Sequence, residues 1–215
     1  SVETWDVVKI PDPSDPRKEL YYMYFSGNSH ENSQYKIGLA VSSDGENFKP
    51  LEASLSKNNE PGLIMTASDS LGGQDVPGNF ITDPTVVFKE NSFHMWTLCI
   101  KQFPSNQADG GICYHTSKNG INWTNEGTVE GLDNRAYPIQ PTVIWNGLIN
   151  KFEMYVVADT FAEEQTIHDP YTNLGLRVMG WFKATSVDGK NWAMDESKRV
   201  LEQNLELANE DQGLA

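Results

Sequence analysis

The sequence predicts an all-β fold of the β-propeller kind, built from three four-stranded antiparallel blades, and three observations predict it. A turn motif, Ser-x-(Asp/Asn)-Gly-x-Asn-(Trp/Phe), occurs three times, at 42–48, 117–123 and 186–192. Each copy follows a short strand-like run, and an aromatic-x-Met-aromatic segment lies upstream of each run. Helical periodicity is almost absent, whereas alternating and β-branched runs recur.

Taken in chain order, Asp6 to Ile10, Tyr21 to Phe25 and Lys36 to Val41 read as strands that lead into Ser42-Ser43-Asp44-Gly45-Glu46-Asn47-Phe48. Asp83-Pro84-Thr85-Val86-Val87-Phe88, then Phe93 to Thr97 and Gly111 to Thr116, lead into Ser117-Lys118-Asn119-Gly120-Ile121-Asn122-Trp123. Gln140-Pro141-Thr142-Val143-Ile144-Trp145, Phe152 to Val156 and Val178 to Thr185 lead into Ser186-Val187-Asp188-Gly189-Lys190-Asn191-Trp192. The Asp-Gly or Asn-Gly pair is a hairpin signal, because both residues tolerate positive φ. The closing aromatic is expected to start the fourth strand and to fill the gap between neighbouring blades. No chemistry is assigned to the motif itself.

The motif glycines, Gly45, Gly120 and Gly189, lie roughly seventy residues apart, and a meander repeated at a fixed long period is the signature of propeller blades rather than of a sandwich. The 215 residues are read as one propeller-type domain, 1–215, with blade units at about 4–52, 81–128 and 139–202. Three blades leave faces and edges bare, since propellers normally have four or more. The expectation is therefore an incomplete ring, or a ring closed by oligomerisation, with a homo-oligomer as partner state.

Composition narrows the function. Sixteen Lys and Arg against 30 Asp and Glu give a net charge of −14, which excludes a nucleic-acid binder that works by neutralising phosphates and disfavours an anionic membrane surface. No apolar run reaches the eighteen or so residues of a membrane span. The chain starts at Ser1 without the charged and apolar regions of an export signal, and the expectation is that any such signal has been removed or never existed. The compartment stays open, with a secreted or periplasmic location favoured. Cys99 and Cys113 lack metal-site spacing; the expectation is two small buried apolar side chains, with a cross-strand disulfide as the alternative. His30, His94, His115 and His168 show no ligand spacing, and no Gly-rich phosphate loop is visible, so neither a metal nor a cofactor is expected. His94 and His115 are expected to pack in strands or face outward, and His168-Asp169 lacks the nucleophile context of a catalytic pair.

The set Asp-Pro-Thr-Val at 83–86, aromatic-x-Met-Trp at 93–96 and Thr-Ser-x-Asn-Gly-Ile-Asn-Trp at 116–123 resembles the five-bladed propeller glycoside hydrolases, a superfamily of arabinanases, β-xylosidases and invertase-like enzymes. The resemblance covers about 180 residues and implies an axial funnel in which the innermost strands of the first three blades each contribute a carboxylate. Glycosidic cleavage needs such a set: one carboxylate facing the anomeric carbon and one protonated carboxyl on the leaving oxygen, held in unlike environments so that their pKa values separate.

Matched residue by residue, Asp83 is the strongest catalytic candidate, and Asp6 is the first-blade choice with Glu3 as fallback. The third blade departs from the pattern. It has Ile139 where the superfamily has Glu, and Gln140 aligned with Asp83; a carboxamide cannot donate a proton at neutral pH. The missing general acid is then sought in the long insertion between two strands, at Asp159, Glu163, Glu164 or Asp169, with Glu163 taken as the candidate. Trp5, Gln140, Trp145 and Arg135 are the candidate substrate-binding residues, and Trp96, Trp181 and Tyr155 occupy strands that could open to the axis. The expectation is a glycoside hydrolase acting on a poly- or oligosaccharide. The alternative is a non-catalytic carbohydrate-binding or structural propeller segment, because the usual acid is replaced.

Overall fold

The structure, a computed structural model, describes residues 2–29, 34–72, 79–101, 109–132, 139–159, 167–168, 175–176 and 179–202. Three antiparallel sheets follow one another along the chain. The first orders β1 (Val2–Asp12), β2 (Asp15–Ser29), β3 (Gln34–Ser42) and β4 (Lys49–Pro50), and gains a fifth strand, β5 (Leu63–Met65), which also pairs with β3. A one-turn helix α1 (Ala67–Leu71) follows. The second orders β6 (Phe80–Lys89), β7 (Ser92–Lys101), β8 (Asp109–Ser117) and β9 (Thr124–Thr128). In the third, β10 (Ile139–Asn146) and β11 (Lys151–Asp159) are separated from their partners by an insertion carrying the short pair β12 (Ile167–His168) and β13 (Gly175–Leu176), after which β14 (Met179–Ser186) and β15 (Ala193–Glu202) complete the sheet. The three four-stranded meanders read from the sequence are thus present as consecutive blades of a partial propeller.

Burial follows from where each sheet sits. β1 alternates between exposed and half-buried residues, as a sheet with one covered face should. β7, in the middle sheet, is buried almost throughout because both of its faces are covered. Its side chains alternate between two cores: Phe93 and Met95 join Tyr24, Leu39 and Ile81 on the side of the first sheet, while Trp96 joins Met154, Phe182 and Trp192 on the side of the third.

The repeated motif is the turn between the third and fourth strands of each sheet, and its second and third copies also reach the preceding blade. In each copy the serine hydroxyl accepts from the glycine N–H, at 3.0, 2.9 and 2.9 Å for Gly45, Gly120 and Gly189. The Asp44, Asn119 and Asp188 Oδ1 atoms accept from backbone N–H groups two and three residues on. Only the glycines take positive φ, so the loop is a longer side-chain-capped turn rather than the two-residue hairpin turn that Asp-Gly suggests. In the second and third copies the glycine carbonyl receives an aromatic donor from the preceding blade: Tyr24 Oη donates to Gly120 O at 3.0 Å and Trp96 Nε1 to Gly189 O at 2.7 Å. A Cβ on Gly120 would lie 2.5 Å from Tyr24 Oη, so glycine is needed there for contact as well as for φ. The closing aromatics of the second and third copies fill the gaps as expected, Trp123 edge-on to Tyr24 and Trp192 edge-on to Trp96, with centroids 5.7 and 5.9 Å apart.

A second expectation is corrected. Cys99 and Cys113 are joined by a disulfide between β7 and β8, with Cα atoms 5.9 Å apart, because Cys99 lies diagonally across from Cys113 on neighbouring strands, one face of the sheet carrying both.

Candidate active site

The innermost strands β1, β6 and β10 lie side by side, and each carries a bulge at the same end. Two residues of the inner strand face one residue of its partner: Glu3-Thr4 against Ser26, Asp83-Pro84 against Thr97, and Gln140-Pro141 against Val156. A bulge bends the strand and re-aims its side chains. Asp83 and Gln140 adopt φ of 52° and 51°, and the other non-glycine residues with positive φ among those described lie in turns or in the short 3-10 segment Lys57–Asn59. A left-handed residue before proline is a costly conformation, on the order of 1–3 kcal/mol, of the kind that collects at functional sites.

The three bulges meet at a cleft of about 340 Å³ lined by Glu3, Trp5, Asp6, Asp83, Gln140 and Trp181 among others. Asp6, Asp83, Trp5 and Gln140 are therefore brought together, along with the fallback Glu3 and with Trp181, which the sequence placed on a strand that could open to the axis. Trp145 is not among the lining residues. It sits towards the other end of β10, edge-on to Phe152 at 4.9 Å, with Lys89 Nζ 4.2 Å from its ring centre. Trp96 is fully buried and serves packing. Arg135, Glu163, Glu164 and Asp169 lie outside the described residues, as does the side chain of Asp159. Among the described residues no cluster of His, Cys, Asp and Glu could hold a metal ion.

Asp83 is half-buried, and burial pushes its carboxyl pKa up; the Thr4 and Thr82 hydroxyls and the Gln140 N–H pull against that shift, and the charge of Glu3 adds to it. Its own N–H donates to Thr4 Oγ1 at 3.2 Å, and Thr4 Oγ1 lies 2.6 Å from Ser26 Oγ, so β1 and β6 are pinned together beside the carboxyl. Asp6 spends both carboxylate oxygens: Oδ1 accepts from Val7 N–H at 2.8 Å, and Oδ2 from Val86 N–H at 2.7 Å and Thr85 Oγ1 at 3.3 Å. Thr85 does the same task one blade on, its Oγ1 accepting from Val143 N–H at 3.0 Å. Glu3 Oε1 accepts from the Tyr35 phenol at 2.7 Å. Chemically, the cleft offers one carboxyl whose pKa burial raises, further carboxylates on β1, a carboxamide, and the rings of Trp5 and Trp181.

Sequence reasoning placed Glu3 second to Asp6 and missed Tyr35. The aligned Pro84 and Pro141 marked two of the three bulges, whereas the third carries Thr4, with no proline to mark it.

No protein-family model matches the chain, and no curated protein sequence matches it significantly. Solved structures do. A family 117 glycoside hydrolase from the marine bacterium Zobellia galactanivorans superposes with a TM-score of 0.65 at 13% identity, covering 95% of this chain and 58% of that one. An α-L-arabinofuranosidase from Fusarium graminearum, in complex with an iminosugar inhibitor, gives 0.59 at 12% identity, covering 89% and 49%. An N-acetylgalactosamine deacetylase from F. plautii, in complex with blood group B trisaccharide, gives 0.52 at 15% identity, covering 93% and 53%. The chain spans about half the length of these structures. At such identities the likeness shows the fold, the one implied by the sequence resemblance, and that fold carries more than one chemistry.

Proposed function

We propose that the cleft binds a carbohydrate and that the chain forms part of a glycoside hydrolase whose acid–base chemistry centres on Asp83. The observation that carries this reading is the convergence of three equivalent bulges, from three sheets, on one cleft that holds a half-buried carboxyl beside further carboxylates. Fold likeness to enzymes described as glycoside hydrolases supports it.

In this reading the proton on Asp83 passes to the glycosidic oxygen as the bond from that oxygen to the anomeric carbon breaks. Water takes the vacated position, and its proton goes to an ionised carboxylate on β1. Trp5, 64% exposed, and Trp181 offer ring faces to a sugar, and the Gln140 carboxamide offers a donor and an acceptor to its hydroxyls. Arg135 and Glu163 stay candidates for substrate orientation and for a further carboxyl.

A second reading, a carbohydrate-binding segment without turnover, is favoured by one feature: Gln140 occupies the bulge of the third sheet, where a carboxyl would complete the set. A panel of aryl arabinosides, xylosides, galactosides and fructans separates the two. Turnover that Asp83→Asn lowers by about 10²- to 10⁴-fold supports the enzyme. Glycan binding without turnover, changed only modestly by the same substitution, supports the second reading.

A further inference from the structure

Two carboxylates of β1 line the cleft, and they are not equivalent. Asp6 is a strut, with both oxygens taken by hydrogen bonds from β1 itself and from β6, and Thr85 performs the same task with a neutral hydroxyl between β6 and β10. A task that a hydroxyl does as well is structural. Glu3 instead occupies the bulge of the first sheet, the place that Asp83 fills in the second and Gln140 in the third. Its Oε1 is held by a phenol from β3, and that tyrosine ring is in turn packed against Phe80 with centroids 5.8 Å apart. Tyr35 itself is not among the residues lining the cleft.

We propose that Glu3, rather than Asp6, is the ionised carboxylate that works with Asp83, and that Tyr35 is the positioning residue that aims it. This rests on the hydrolase reading above. A carboxylate on a bulge near the start of a strand has three side-chain torsions to fix, and a 2.7 Å phenol hydrogen bond to a packed tyrosine fixes them. The coupling is visible at both ends: the Tyr35 phenol pKa is raised, first by its bond to Glu3, and the charge of Glu3 raises that of Asp83. Among the described residues, Glu3 and Asp6 of β1 line the cleft with Asp83, the charge of Glu3 acts on Asp83, and the charge of Asp83 acts in turn on Tyr35 of β3, whereas β10 presents the neutral Gln140.

The test compares Tyr35→Phe, Glu3→Gln and Asp6→Asn by steady-state kinetics across pH on whichever aryl glycoside the wild-type protein cleaves. Carbon-13 NMR titration of the Tyr35 phenol in wild type and Glu3→Gln is run beside it without substrate. Glu3→Gln is expected to lower kcat by about 10²-fold or more and Asp6→Asn by at least tenfold less, with its main effect on Tm. Tyr35→Phe is expected to lower kcat by about ten- to a hundredfold with KM within a factor of two, and to shift the acid limb of the pH profile. The phenol should titrate above the ordinary tyrosine value and return towards it in Glu3→Gln. A Tyr35→Phe protein with wild-type kcat and pH profile overturns the proposal, as does an Asp6→Asn loss larger than that of Glu3→Gln. A wild-type protein that cleaves nothing overturns the hydrolase reading and the catalytic role with it, while the phenol titration still reports on the contact.

Discussion

The bulges of the second and third sheets share a backbone and differ in chemistry. Asp83-Pro84 and Gln140-Pro141 each place two residues opposite one, each take φ near 50° before proline, and each line the same cleft. One ends in a carboxyl whose pKa burial raises, the other in a carboxamide that cannot titrate. The comparison teaches that the strained backbone is common to these two bulges, whereas the chemistry belongs to the residue placed on each. In the hydrolase reading proposed above, the acid–base work would lean on the first and second sheets.

The largest effect expected from breaking this comparison is at Asp83. Asp83→Asn, which makes the second bulge resemble the third, should cost about 10²- to 10⁴-fold in kcat with little change in Tm, measured by kinetics and calorimetry. Gln140→Ala should act mainly through KM, by about tenfold or less, because a carboxamide can bind but not transfer a proton.

A second difference lies deeper in the same two sheets. Opposite Met95 the second sheet places His115, whereas opposite Met154 the third places Ala184. His115 is buried, its Nε2 is 3.3 Å from both Ser70 Oγ and Thr97 Oγ1, and burial lowers its pKa to about 4. Between the ordinary histidine value of about 6.5 and that lowered value the unfolded chain binds a proton that the native protein refuses. Stability should therefore fall as pH drops through that window, by about 3 kcal/mol in all, and level off below it. Chemical unfolding at a series of pH values checks this, and His115→Ala should flatten the curve while opening a cavity.

Trp96→Ala sharpens the comparison at the junction between the two sheets. The indole is fully buried and bonds to the Gly189 carbonyl, so the loss should be about 3–5 kcal/mol by denaturant titration. The smallest effect concerns the motif loops. Asp44 and Asp188 accept the side-chain amides of Asn47 and Asn191, each at 2.8 Å, and the pKa of each is lowered, for Asp44 first by its Asn47 bond and for Asp188 by its hydrogen bonds against burial. The second copy carries Asn119 there. Asn119→Asp should raise Tm by about 1–3 °C near neutral pH. As with any carboxylate whose pKa falls on folding, that gain should vanish as pH drops below the ordinary carboxylate range.

Much of the fold was legible because the motif loops are local chemistry: a serine, an acidic or amide acceptor and a glycine within seven residues close each turn whatever surrounds it. The loop type was misread because Asp-Gly also suits a two-residue hairpin, and the distinction lies in the φ of Asp44, which its letter does not reveal. At the site, the prolines after Asp83 and Gln140 made that pair legible. Glu3 was placed behind Asp6 because hydrophobic pattern aligns Asp6-Val7-Val8 well, whereas a bulge shifts the register by a residue and leaves no pattern of its own. The Tyr35 to Glu3 bond joins residues 32 apart, and no periodicity encodes it.

The central claim is that the cleft shared by the three bulges is where a sugar sits. Crystals soaked with arabinose-, xylose- and galactose-configured oligosaccharides test it most directly. The account predicts density for a sugar ring in the cleft within hydrogen-bond reach of Asp83 and Gln140. A sugar held elsewhere on the protein, with the cleft left to solvent, would contradict it.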